Sequence, residues 1–392
     1  MRPCCEQGSG RQSARFRNHH IIAAFPTSGP PLSSVFLRDL RNICLTFATA
    51  LAAGTALNAA GAPAPYLLGS LFGVWLLGGL FKPARKVLDI PRWLHVSVTL
   101  GLGVLVGAMF DPGVIGKFGQ WSVSVVGMMV ATALATAAGY AYLAGLRRYP
   151  PTLALLCCLP GGQAETIAVS RGLVDRDYVV ALCHLVRVAT VFCVTPILLT
   201  LVQGQAAVEA SNRVLSGFPS LGSLPPVAMA EFIAIALVGY VLGRALRLPM
   251  PHLLGPLILS AGLHVTGILS IPRIHEFVVL AQLTIGGAVG ARLCRIRARE
   301  LLVYLVDALL NSVLVIGIYA TLALVLALAL GMPYLNVLLA FIPGGFYEVT
   351  LLALLFGFDV AMVTFHHTVR FLMIFAVLPL IASAGRRAPR DP

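Results

Sequence analysis

Twelve apolar stretches follow one another between residues 41 and 384 with little chain between them. They cover approximately 41–61, 65–81, 94–110, 121–146, 152–172 and 178–203, then 226–246, 250–270, 276–291, 302–330, 335–357 and 360–384. A helix needs about 20 apolar residues to cross the hydrocarbon layer, so a chain built this way folds in a bilayer. The composition agrees. Of 392 residues only 11% are charged, against about 25% for a soluble domain. That excludes a cytosolic enzyme, a disordered chain and a nucleic-acid-binding domain. The chain reads as an all-α polytopic membrane protein whose immediate partner is lipid.

The net charge of +13 does not point to nucleic acid. Membrane proteins keep Lys and Arg on cytoplasmic loops, so the position of the 28 basic residues matters more than their number. The eight cysteines lie mostly in apolar stretches without a C-x-x-C pattern and read as reduced, small hydrophobes. Residues 1–37 carry Arg2, Arg11, Arg15 and Arg17, and their longest apolar run is Ile21 to Phe25. That run is shorter than a signal-peptide core, so the segment reads as a disordered cytoplasmic tail.

The two series of stretches match each other. Pro63-x-Pro65-x-Leu67-Leu68-Gly69 corresponds to Pro249-x-Pro251-x-Leu253-Leu254-Gly255 at an offset of 186 residues. Gly103-x-x-x-Gly107 corresponds to Gly286-x-x-x-Gly290 at an offset of 183. The same offset relates Pro160-Gly161-Gly162-x-x-Glu165 to Pro343-Gly344-Gly345-x-x-Glu348, His184-x-x-Arg187 to His367-x-x-Arg370, and Pro196 to Pro379. Five matches in one order indicate an internal duplication. The expected layout is a tail (1–37), repeat 1 (38–203), a linker (204–225), repeat 2 (226–385) and a cytoplasmic tail (386–392).

Charge decides how the repeats are oriented. Basic residues in successive equivalent loops number 0, 4, 1, 2 in the first half and 2, 1, 4, 0 in the second. Opposite bias in equivalent loops means opposite orientation. Each repeat is therefore expected to hold about five transmembrane helices and one re-entrant broken helix. On that topology 23 basic residues and both termini are cytoplasmic, Lys117, Arg213 and Arg273 are outside, and Arg187 and Arg370 are within the membrane.

The candidate chemistry gathers at the interrupted stretches. Proline and paired glycines break a helix, and broken backbone survives at membrane depth only where protein or a wet cavity satisfies it. Paired breaks in inverted halves are the best sequence pointer to a transporter's site. The half-helices after Gly161-Gly162 and Gly344-Gly345 would aim free N–H groups at it. Glu165 and Glu348 read either as proton or cation sites or as residues at position N3 that cap their own helices. Arg187 and Arg370, each 22 residues after its glutamate, need partners; the natural pairing is Glu–Arg, as a fixed lock or as an anion site. His184 and His367, one turn earlier, read as relay, metal ligand or hydrogen-bond partner, and His366 precedes the second. Asp307 and Asn311 would add asymmetry to the cavity or sit near the cytoplasmic end, and Tyr347 would line a site or pack. The two G-x-x-x-G pairs read as close-packing surfaces.

These motifs resemble the AbrB family of bacterial membrane proteins, over roughly residues 40 to 385. The resemblance implies an internally duplicated protein of the inner membrane. The family is often labelled a regulator of gene expression and, in older labels, an ammonia monooxygenase; a soluble DNA-binding regulator that shares the name is unrelated. The chain departs from a perfect repeat at Gln163-Ala164 against Phe346-Tyr347. Three functions are open at this point. A secondary transporter of a small solute, an anion among the candidates, fits best and needs no cofactor, metal or catalytic residue. A membrane-embedded regulator sensing a small ligand is the alternative. A metal oxygenase comes third, since copper would need more converging His or Cys.

Overall fold

The structure, a computed structural model, describes residues 32–204, 209, 213, 217–296 and 298–385. The described residues are helical, without a strand. Helices α1 (Leu32–Ala59), α2 (Pro65–Leu80), α3 (Lys82–Val87), α4 (Arg92–Gly107) and α5 (Phe118–Tyr140) lead to a broken pair, α6 (Pro151–Cys158) and α7 (Gln163–Ser170), and to α8 (Asp177–Gln203). The second series is α9 (Pro226–Ala245), α10 (Pro251–Val265), α11 (His275–Leu293), α12 (Ala298–Leu330), the broken pair α13 (Tyr334–Phe341) and α14 (Phe346–Leu355), and α15 (Val360–Gly385). The helix α1 begins at Leu32, so residues 32–37 are helical where the sequence reads as tail. Residues 1–31, most of the first part of the expected linker and the tail 386–392 lie outside the described residues.

Among the described residues seven helical segments are long and apolar enough to cross a membrane: 36–59, 112–146, α8, α9, α11, 302–330 and 360–384. Their outer faces carry large aliphatic side chains such as Val130, Leu134, Leu237, Val241 and Leu328, a surface suited to lipid. Three further apolar helices, α2, α4 and α10, are only 15 or 16 residues long. At 1.5 Å per residue they reach about 22–24 Å, less than the roughly 30 Å of hydrocarbon. They survive because much of each is buried in protein. Two of them start abruptly at a Pro-x-Pro: the residue between the prolines, Ala64 or Met250, is left-handed (φ 44° and 48°), and the second proline opens the helix.

Both G-x-x-x-G pairs are packing surfaces. A Cβ on Gly103 or Gly107 would strike Leu253 O and Ser260 of α10, and one on Gly286 or Gly290 would strike Leu67 O, Ser70 and Leu71 O of α2. Each glycine pair thus lies on the Pro-x-Leu-Leu-Gly helix of the other series. In both contacts the residue numbers rise together, so α4 runs parallel to α10 and α11 to α2. The helices α5 and α12 run antiparallel: Gly127 faces Leu326, Tyr319 Oη donates to Thr132 Oγ1 (2.9 Å), and Gly139 faces Asn311.

Each broken pair is a hairpin. His184 bonds Leu156 O, and Arg187, three residues on, bonds Leu159 O, three residues on, so α6 runs parallel to α8. Tyr149, just before α6, and Tyr178, at the start of α8, both meet Tyr304, at ring-centroid distances of 5.9 and 6.3 Å. The helices α6 and α8 therefore begin at one level, and the chain enters through α6 and returns through α7 on the same side of the bundle. The second hairpin repeats the pattern, with His367 on Leu339 O, Arg370 on Ile342 O, and Asp359 N donating to Asn336 Oδ1 at 3.4 Å.

Candidate functional site

The breaks differ in why they need glycine. Gly161 and Gly162 take φ of 130° and 56°, conformations that a side chain disfavours. Gly345 has an ordinary φ of −68°; there the Glu348 carboxylate lies where a Cβ would be, and Val349 and Val191 crowd Gly344 in the same way. The first break packs on α15 through Ile374 and Phe371, and the second on α8 through Val191.

The half-helices entering the breaks end in free carbonyls, and α8 and α15 cap them. Arg187 Nη2 donates to Leu159 O (2.9 Å) and to His184 Nδ1 (3.0 Å). Arginine has no acceptor, so Nδ1 must accept and Nε2 carries the imidazole proton, which it gives to Leu156 O (3.0 Å). In the second hairpin Arg370 donates to Phe341 O (2.7 Å), Ile342 O (3.2 Å) and His367 Nδ1 (3.1 Å), and His367 Nε2 donates to Leu339 O (3.0 Å). A cation at a helix C-terminus satisfies orphan carbonyls and opposes the negative end of the dipole. Of the readings open for the histidines, their contacts are those of hydrogen-bond partners.

The Glu–Arg pairing expected from sequence does not occur: neither glutamate bonds either arginine. The arginines are engaged by carbonyls 28 and 29 residues back, which any residue type supplies. The glutamates instead occupy the first turn after the breaks. Gly162 and Gly345 are the N-cap residues, placing Glu165 and Glu348 at N3, where a carboxylate suits the positive helix end. Each hairpin thus carries a positive group at its negative helix end and a negative group at its positive one. Glu165 is half-buried; Glu348 is 8% exposed and its Oε2 has no hydrogen-bond partner.

Around these groups stand Tyr319, which carries no motif in the sequence, and Tyr347, expected to line a site or to pack. Tyr319 lies under Arg370, 5.9 Å from Cζ to the ring centroid, and within electrostatic reach of Arg187 as well. Tyr347 is within reach of both Glu165 and Glu348; its ring meets His95 edge-on at 5.6 Å, and its hydroxyl lies 3.5 Å from His252 Nε2. Tyr319 thus stands against the second clamp, and Tyr347, next to Glu348 in the chain, stands between that glutamate's half-helix and the two histidines. Neither tyrosine recurs at the matching position of the other series, where Thr136 and Ala164 stand; the mismatch with Ala164 is what marks Tyr347 in the sequence, while nothing marks Tyr319.

The remaining candidates fall elsewhere. His366 bonds Ser124 Oγ (2.7 Å) and Met362 O (2.8 Å). Asp307 pairs with Arg147 (2.7 Å) and accepts from Tyr149 Oη (3.0 Å), at the mouth of the first hairpin. Asn311 lies 4.0 Å from Cys158 Sγ. Among the described residues no three His, Cys, Asp or Glu side chains form a metal-binding group.

The profile of the family described as "Transition state regulatory protein AbrB" matches residues 66–385. A protein of Escherichia coli (strain K12) named "Putative regulator AbrB" is 24% identical over 321 residues, covering 82% of this chain and 89% of that protein. The Bacillus subtilis (strain 168) protein YhjN is 23% identical over 354 residues, covering 83% of this chain and 90% of that one.

Proposed function

The chain belongs to the AbrB family of membrane proteins, and we propose that it is a secondary transporter of a small solute, built as one unit repeated in opposite orientation. One observation carries this reading: the His–Arg clamp on a broken helix occurs twice, with every partner displaced by 183 residues, Leu156 to Leu339, Leu159 to Ile342, His184 to His367 and Arg187 to Arg370. The antiparallel course of α5 and α12, which correspond in the two halves, supports inversion. Two such breaks converging at the bilayer centre are the build of a transporter's site.

In this account Gly161, Gly162, Gly344 and Gly345 open the backbone, and Glu165 and Glu348 face the solute or coupling ion. The residues His184, Arg187, His367 and Arg370 hold the broken ends in place while the halves rock. Glu348, with an unpartnered oxygen in a buried place, is the group whose charge would change during transport. We place the protein in the bacterial inner membrane with both termini cytoplasmic. The test is uptake or current in reconstituted vesicles with a panel of small anions, amines and amino acids. Flux lost in Glu348→Gln supports transport. No flux with any of them, alongside an expression phenotype that survives Glu348→Gln, would favour the ligand-sensing regulator instead.

A further inference from the structure

The two clamps are alike in plan and unequal in saturation. Arg370 reaches two carbonyls and an imidazole and lies over the Tyr319 ring. Arg187 reaches one carbonyl and one imidazole; its Nε and Nη1 are buried without any partner, in a residue 3% exposed. Among the described residues no carboxylate lies in salt-bridge range of Arg187, while Tyr319, Cys158, Cys183 and Arg370 are among the groups that act on it. Tyr319 donates its proton to Thr132 and so is a neutral phenol. His184 is neutral by its tautomer. Arg187 and Arg370 are thus two buried guanidinium groups that act on each other, one of them with unmet donors on two nitrogens. Buried charged donors left unmet are strongly unfavourable, and like charges in such a place repel strongly.

We propose that this place, between α8, α12 and α15, binds a small monoanion against Arg187 Nε and Nη1, with Arg370 as the second positive charge. One negative charge there meets both open donors and turns the repulsion into a bridge. The two donors suffice for a halide or the carboxylate of a short acid. A sulfate or phosphate dianion would need more donors than the surrounding thiols and aliphatic side chains supply. The assignment is independent of flux, because binding at this site requires no transport.

The test uses the purified full-length protein in detergent, in a gluconate buffer, since gluconate is too bulky for so enclosed a place. Chloride, bromide and formate are titrated at constant ionic strength while the unfolding temperature is followed, and bound bromide is counted by equilibrium dialysis. The expected result is a saturable rise in unfolding temperature and about one bromide per chain. Arg187→Gln is expected to weaken binding at least about tenfold, with Lys82→Gln, at an exposed position, behaving as wild type. The lower half-saturation of bromide or of formate tells whether the natural ligand is a halide or a carboxylate. An unfolding temperature that follows ionic strength alone, an undiminished response in Arg187→Gln, or wild-type protein that binds no bromide would each overturn the proposal. Should Arg187→Gln fail to fold, the wild-type bromide count decides by itself.

Discussion

Replacing Arg370 with alanine removes the clamp on the second hairpin. The side chain donates to Phe341 O at 2.7 Å and Ile342 O at 3.2 Å and lies 5.9 Å from the Tyr319 ring centroid. Hydrogen bonds to charged groups are worth about 1.5–3 kcal/mol each, and the ring contact adds roughly 0.5–2 kcal/mol. Against these stands relief from burying a guanidinium, several kcal/mol on its own. The net loss should be about 3–5 kcal/mol, the range seen when a buried charged contact is broken. At roughly 2 °C per kcal/mol for a large domain, the unfolding temperature falls by about 6–10 °C. Arg370→Lys keeps the charge but can serve only one carbonyl well, and should recover less than half of the loss. The assay is thermal unfolding in detergent, carried into a double-mutant cycle with Glu348→Gln. Because Arg370 and Glu348 do not touch, the two effects should add to within about 0.5 kcal/mol. A coupling above about 1 kcal/mol would mean that carboxylate and guanidinium meet after all, and the clamp account would be refuted.

Other expectations follow from the same contacts. In Gly255→Ala the new methyl would strike Gly239 O; overpacking should cost at least about 1–3 kcal/mol, whereas Gly79→Ala, with open space around it, should stay within about 1 kcal/mol of wild type. Melting curves of the pair check this, and equal effects would remove the close-packing argument. Asp307→Asn weakens the pair with Arg147 and the bond from Tyr149 Oη at a carboxylate that is itself buried, 2% exposed against 40% for the arginine, so solvent screens only one partner and the denaturant midpoint should fall below that of wild type; an unchanged midpoint would remove this pair from the stability of the first hairpin's mouth. Glu348→Gln should abolish flux in vesicles while keeping the fold, since glutamine is isosteric and Oε2 has no partner to lose. Undiminished flux in a folded Glu348→Gln protein would remove that residue from the transport cycle.

Much of this was legible in the amino-acid sequence because it depends on residue type. Broken stretches at 152–172 and 335–357 declare themselves by Pro-Gly-Gly, and the structure breaks at those residues. Glycine spacing marked the faces where α4 and α11 meet their neighbours, since only glycine admits that approach. The position of Glu165 and Glu348 at N3 follows from counting past the N-cap glycine. The partners of the arginines were not legible for the opposite reason. They are backbone carbonyls of Leu159, Phe341 and Ile342, and a carbonyl leaves no mark in a sequence. Tyr319 was also hidden, and so were the contacts of Tyr347 with His95 and His252, because helices far apart in the chain bring them together; only the presence of Tyr347 beside Glu348 was legible. The short helices α2, α4 and α10 read as full crossings from hydropathy alone; their length is limited by the opening prolines and by burial in protein.

The inverted build can be tested most directly by labelling. Single cysteines at positions 86, 148, 295, 117 and 273, placed in a chain freed of its native cysteines, are treated in intact cells with a reagent that cannot cross the membrane. Positions 117 and 273 should react from outside, and 86, 148 and 295 only after the cells are opened. Positions 148 and 295 on opposite faces would contradict the two-fold inversion on which the rest of the account depends.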